Sequence, residues 1–278
     1  MGINLEAVEF LLELDRKNLL KKGKCLELGR QDMFISPSKL KILLDSEKTI
    51  SSASELYKHL GFESHSSIDG FEAENCHVID LNKDISIEEE LALKADLVTN
   101  FGTTEHIFNQ YSAFKNIHNL CSVGGVIVHS VPIAGNVQHG YYNYQPRMFQ
   151  EMALINEYEI LSLYIAADYW PALIPYSKEN LFKNRYKDLM LLVAFRKNTE
   201  SPFQLPFDGF FKEQAQTYGY QAATLENSTF SGQFDSFLIS GNWQNLNRTR
   251  LEVFMLRLNS KLKFFGFRTR FRNLYKKN

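Results

Sequence analysis

The 278-residue sequence predicts a doubly wound α/β fold, a mostly parallel sheet with helices on both faces, a closing antiparallel hairpin and a C-terminal extension. Two observations carry this expectation. Between residues 24 and 130, short apolar runs that end in a glycine or a polar residue alternate with helix-length patterns, which specifies parallel strands joined by helical crossovers. The last two apolar runs, 158–165 and 188–195, have no identifiable crossover helix between them, so they pair as a hairpin.

The elements follow in order. Val8, Leu11, Leu12, Leu14 and Leu19 recur near helical spacing, so residues 4–21 read as an amphipathic helix closed by Lys21-Lys22-Gly23. Residues 24–29, KCLELG, form a strand that leaves the sheet at Gly29 into the polar turn Arg30-Gln31-Asp32. Helical patterns follow at 37–45 and 52–60. Strands then end at Ser67-Ile68-Asp69-Gly70, at Cys76-His77-Val78-Ile79 before Asp80, and at Asp96–Asn100 before Phe101-Gly102. A helix over 105–119 precedes a turn at Val123-Gly124-Gly125 and the strand Val126–Ser130, and a helix over 146–156 leads to the final pair. Residues 1–197 make one α/β domain and 198–278 an extension. Within the extension 198–247 is loop-rich and aromatic, and from 248 onward Leu251, Phe254, Met255, Leu258 and Leu262 share the apolar face of a basic amphipathic helix.

Composition narrows the function. Apolar residues make up 44% and charged residues 23%, ordinary values that disfavour disorder, collagen-like repeats and rods. Net charge is −1, which gives no reason to expect specific nucleic-acid binding. The charge is unevenly spread: residues 248–278 carry ten basic groups against Glu252 alone, leaving −10 on residues 1–247. That basic segment, interleaved with Phe254, Phe264, Phe265, Phe267 and Phe271, fits peripheral contact with an anionic membrane or docking on the acidic body of the same or a second copy. Cys25, Cys76 and Cys121 are widely spaced and odd in number, no apolar run reaches membrane-span length, and the start has no basic leader, so a cytoplasmic protein is expected. None of the seven histidines lies at metal-ligand spacing from other ligands, so no metal is expected; neither G-x-S-x-G nor G-x-x-x-x-G-K-[ST] is present.

In a parallel sheet the ligand lies beyond the carboxyl ends of the strands. There Gly29 lets the backbone approach a ligand closely, Asp69 can accept both hydroxyls of a ribose, and Asp80 can accept from the exocyclic amine of adenine. These residues, in this order, fit an adenosine-containing cofactor.

In that order the sequence resembles the class I S-adenosylmethionine-dependent methyltransferases over about residues 20–197. CLELGRQD is similar to the family's first motif, SIDG to the end of its second strand, HVIDLN to its third, DLVTNFGTTEH to the fourth-strand motif beside the methyl donor, and GGVIVHSVP to its fifth strand. DLVTNFGTTEHIFNQ with the downstream HGYYNYQPRMFQEMA resembles bacterial members associated with polysaccharide or secondary-metabolite pathways. The resemblance implies a Rossmann-like seven-stranded sheet and S-adenosyl-L-methionine as cofactor, held by Glu27, Gly29, Arg30, Asp69, Asp80 and Asn100. It implies transfer of a methyl group to a small-molecule or carbohydrate-type acceptor. The sequence departs from the family's G-x-G-x-G loop: Arg30 follows Gly29, and Gln31 and Met33 stand where later glycines are usual. Arg30 can reach the methionine carboxylate by a charge-assisted hydrogen bond. The long separation of Gly29 from Asp69 implies an inserted helix.

Glu105 and His106, just past the fourth strand, are the candidate catalytic residues, His106 as a base near its ordinary pKa of about 6.5. The structural alternative makes Thr103, Thr104 and Glu105 the first turn of a helix, with Glu105 complementing its dipole. His139, Tyr142 and Asn143, in an aromatic loop with Gly135 and Gly140, are candidate substrate contacts on a lid; the alternative is a loop packed on the surface. His129 reads as structural. The altered first loop leaves a second functional reading open, the same fold serving as a non-catalytic binding or scaffold protein.

Overall fold

A computed structural model describes residues 2–167, 173–184 and 188–206; the basic segment 248–278 and its expected helix lie outside the described residues. The main sheet has eight strands, one more than the seven expected: a two-residue edge strand and β1 (Lys24–Leu28), β2 (Ser64–Asp69), β3 (Cys76–Val78), β4 (Ala95–Phe101), β5 (Cys121–Ala134), β6 (Glu159–Ala167) and β7 (Leu189–Arg196). Their spatial order is β3-β2-β1-β4-β5-β7-β6, with a two-residue strand, Ile174–Pro175, on the outer edge of β6. Strands β1 to β5 are parallel, and β7 runs antiparallel to both its neighbours. The expected antiparallel pairing of β6 and β7 is present, but their connection is not helix-free as read from the sequence: it holds the strand Ile174–Pro175 and a seven-residue helix, Lys178–Asn184, too short and polar to register as a crossover. The last strand sits inside the sheet between β5 and β6, where LMLLVAF, apolar on both faces, is buried on both.

Helices cover both faces. α1 (Leu5–Arg16), α2 (Pro37–Leu43) and α3 (Ala53–His59) pack with Cys25, Leu97, Val126 and Val128. On the other face, α5 (Gln110–Leu120) and α6 (Pro146–Ile155) pack with Leu26, Leu28, Val98 and Ile127. The alternation along β1 is the cause: odd residue Cys25 faces one layer, even residues Leu26 and Leu28 the other. The inserted helix expected between Gly29 and Asp69 is two short helices, α2 and α3.

Four details differ from the sequence expectation. The first helix starts where the Asn4 side chain accepts from the Ala7 amide and ends at Arg16, not 21, because Asn18 turns the chain with φ +54°. A short α4 (Ile87–Leu93), opened by a Ser86–Glu89 capping box, has no buried residue and so no apolar stripe to reveal it. Gly124, with φ +78°, does not end a turn before the strand; β5 runs through it from Cys121, with an irregular register against Ala95 and Leu97. The helix after β4 starts at Gln110, capped by Asn109, and residues Thr104–His106 form a separate 3₁₀ turn.

A buried lysine closes this layer. Lys197 is 1% exposed, its Nζ donating to the carbonyls of His118 (2.9 Å) and Cys121 (3.1 Å) at the end of α5 and pairing with Glu200 at 2.8 Å.

Candidate functional site

The strand order reverses between β1 and β4, so the loops that follow these strands flank the crevice where ligands bind in open α/β sheets. The β1 loop is shaped by Gly29, whose φ of +68° is a left-handed conformation costly for any other residue. A Cβ there would lie 2.5 Å from Thr103 Oγ1. Thr103 Oγ1 donates to the Leu28 carbonyl at 2.5 Å, and Gln31 Nε2 donates to Thr103 Oγ1 (3.1 Å) and to the same carbonyl (3.0 Å). The two loops are therefore pinned to each other at the point of reversal. Gln31 Oε1 is buried there without a hydrogen-bond partner.

Around this point stand the acids read from the sequence. Glu27, 1% exposed, accepts from the Gln31 amide at 3.2 Å and lies 3.6 Å from His65 Nε2 and 3.5 Å from the Tyr57 hydroxyl. Burial raises its carboxyl pKa, with His65 opposing the rise. Asp69 accepts from the Arg30 amide (2.9 Å) through one oxygen and from the Phe71 amide (3.2 Å) through the other, so it ties the ends of β1 and β2 together. The Arg30 side chain is exposed, 4.0 Å from Asp32. Asp80 accepts from the backbone and side chain of Asn82, both at 3.0 Å, and these bonds hold its pKa below the ordinary carboxylate value.

Asn100, fully buried at the end of β4, has four partners of its own. Its Oδ1 accepts from the amides of Thr103 (3.3 Å) and Thr104 (3.1 Å); its Nδ2 meets Thr104 Oγ1 (2.9 Å) and His129 Nδ1 (3.0 Å). The side chain thus clamps the loop that carries Glu105 and His106. His129, in an apolar setting of Phe114, Phe149 and Phe195, has its pKa lowered to about 3 by burial and stays neutral.

Beyond the clamp, the structure brings together three residues separated by 34 positions. Glu105 is 0% exposed and neither carboxylate oxygen has a hydrogen-bond partner; burial pushes its pKa up to about 7. His106 Nε2 is also buried without a partner, and the His106 and His139 rings meet edge to face at 5.0 Å. His139 Nε2 lies 3.8 Å from Glu105 Oε1. The loop is drawn onto the 3₁₀ turn because the Tyr141 and Tyr142 amides both donate to the Glu105 carbonyl, and Gly140 permits it: a Cβ there would lie 2.9 Å from that oxygen. Spacing along the chain concealed this group, and the expectation that no histidine shares a metal-ligand constellation does not hold in three dimensions.

The remaining lid residues hold the loop's shape. Tyr142 donates to the Phe108 carbonyl (2.9 Å) and Asn143 to the Gly135 carbonyl (3.0 Å). Tyr141 and Phe108 are both largely exposed and pack edge to face at 6.2 Å, an aromatic pair at the rim. Gln31 and Thr103 were read from the sequence only as a departure from the glycine-rich loop and as part of a helix turn, and Phe108 not at all; proximity to Gly29 and Gly102 was the signal for the first two.

No family model matches the chain, and no curated protein matches it. Among solved structures it is similar to an S-adenosylmethionine-dependent methyltransferase from Clostridium acetobutylicum (12% identity, 69% of this chain and 91% of that one, TM-score 0.44). It is also similar to the N-methyltransferase NodS from Bradyrhizobium japonicum, crystallised with S-adenosyl-L-homocysteine (12%, 70% and 87%, 0.42). A third is the 1,6-didemethyltoxoflavin-N1-methyltransferase from Burkholderia thailandensis, with 1,6-didemethyltoxoflavin and S-adenosylhomocysteine bound (10%, 70% and 78%, 0.42).

Proposed function

We propose that the chain is an S-adenosylmethionine-dependent methyltransferase acting on a small-molecule or sugar-type acceptor. The observation that carries this reading is the reversal point itself: Gly29 in a left-handed conformation, Asp69 one strand away, and the buried, unpartnered acceptor Gln31 Oε1 between the loops. An ammonium donor of the kind a methionine moiety carries would satisfy that oxygen. Each Asp69 oxygen keeps a lone pair beyond its backbone bond, enough for a ribose hydroxyl, and Asp80, two residues past β3, would accept from the adenine amine. Glu27 acts from behind the loop by fixing the Gln31 amide, and the exposed Arg30 side chain, held only by a 4.0 Å contact with Asp32, would turn to meet a carboxylate. Asn100 serves the cofactor through the loop it clamps.

When bound, S-adenosylmethionine supplies an electrophilic methyl group on sulfur. The chain's own task is then alignment of the attacking atom, which is where most of such a barrier reduction arises. Glu105 and His106 stand past β4 where the acceptor's reacting oxygen or nitrogen would lie. His139, Tyr142 and Asn143 shape the loop over it, and the exposed Phe108–Tyr141 pair offers an apolar face for a planar or sugar ring.

Among the described residues no helix is long and apolar enough to cross a membrane. Calorimetry with S-adenosylhomocysteine on the full chain tests the reading. Saturable binding is expected, weakened by about 10- to 150-fold in Asp69→Ala, the loss of at least one hydrogen bond to a charged group. A folded protein that binds no S-adenosylhomocysteine would refute it.

A further inference from the structure

We propose that Glu105, His106 and His139 form a three-ligand binding site for one divalent first-row transition ion. Their ligand atoms all lie within 4.8 Å of one another, and among the described residues they are the one group of His, Cys, Asp and Glu so arranged. A second observation is independent of that geometry. Glu105 is fully buried, neither of its oxygens has a hydrogen-bond partner on another residue, and His106 Nε2 beside it is also buried and unpartnered. A buried carboxylate without hydrogen bonds is costly, and polar atoms left bare in a well-packed loop mark an absent partner. His139 does not fill that place, since its Nε2 remains 3.8 Å from Oε1, outside hydrogen-bond reach.

The donor set selects the ion. Two imidazole nitrogens and one carboxylate suit zinc, cobalt or iron(II), whereas magnesium and calcium prefer all-oxygen shells. Three protein ligands also leave a position open for water or another oxygen. Donor atoms around tetrahedral zinc stand about 3.3 Å apart, so the site must contract slightly. His139 is the arm that closes: its side chain is 47% exposed, on a loop whose neighbouring amides hang from the Glu105 carbonyl, while the turn carrying Glu105 and His106 is held to β4 by Asn100 through the Thr103 and Thr104 amides. With an ion present, His106 would meet an acceptor through the metal rather than directly; that clause alone rests on the methyl-transfer reading.

The test needs no activity. Tag-free, chelator-stripped full-length protein is titrated with cobalt(II), read by visible absorption, and with zinc(II), read by calorimetry and competition. One ion per chain is expected, zinc displacing cobalt, with affinity falling at least about 10-fold in both His139→Ala and Glu105→Gln. The first variant changes a half-exposed side chain and the second preserves shape, so circular dichroism should match the parent. Absence of saturable one-ion uptake, or equal uptake by the parent and both variants, would overturn the proposal. Neither result depends on S-adenosylhomocysteine binding.

Discussion

Asn100→Ala should be among the most damaging single substitutions at the site, although no ligand atom need touch it. The residue is fully buried and its side chain makes four contacts, two from backbone amides of the β4 loop, one with Thr104 Oγ1 and one with His129 Nδ1. A net hydrogen bond contributes about 1 kcal/mol, and a buried partner left bare costs about 1–3 kcal/mol. The Thr103 contact is long at 3.3 Å and is discounted, so the remaining three give a loss on the order of 3–5 kcal/mol. That is a large share of the roughly 5–15 kcal/mol that holds a domain together. Urea unfolding followed by circular dichroism measures it, with the slope m compared between proteins to confirm that the same surface unfolds. Asn100→Asp keeps the two acceptor bonds and lets the Thr104 hydroxyl donate instead, but puts a carboxylate in a fully buried position against His129 Nδ1, so a loss of at least about 2 kcal/mol is expected, smaller in mild acid, where the carboxyl is protonated, than at neutral pH. Donor affinity should track stability in both variants, since Thr103 carries the clamp to the β1 loop through Leu28. A loss below about 1 kcal/mol in Asn100→Ala, or affinity lost from Asn100→Asp with stability untouched, would refute the clamp and return Asn100 to direct cofactor contact.

Two further outcomes follow from buried polar groups. Lys197→Met should cost about 2–4 kcal/mol, because it strips the donor from the His118 and Cys121 carbonyls and leaves Glu200 without that partner; denaturant midpoints unchanged from the parent would show the cap to be idle. Stability should also fall in mild acid. Burial lowers the His118 pKa to about 4, below its unfolded value of about 6.5, so the unfolded chain binds the proton first. The contribution is complete above pH 6.5 and declines as pH falls toward 4, by about 3 kcal/mol at the lower limit. The difference between the parent and His118→Gln, measured by urea midpoints from pH 8 to 4, should shrink across that window; a constant difference would mean that His118 takes up its proton equally in the folded and unfolded chains and would refute the reasoning.

Much of the fold is legible in single segments. The strand cores Cys25–Leu28, Leu97–Asn100 and Val126–Ser130 and the helix 146–155 are written in local periodicity, as is the order of glycine and acid at successive strand ends, because side-chain alternation and backbone freedom act over a few residues. Helix limits set by a single cap were less legible: Asn18 and Asn109 each moved an end by several residues without changing the apolar pattern. Other features were decided only by packing. The insertion of β7 between β5 and β6 follows from burial on both its faces, which a short apolar run does not distinguish from an edge position. Asn100 and His129, one on each of two neighbouring strands, are bonded only because the β4–β5 register sets them side by side. Glu105 and His139 meet because two tyrosine amides fold a distant loop onto one carbonyl, and a sequence records neither which loops close over a strand end nor which buried oxygens they leave bare.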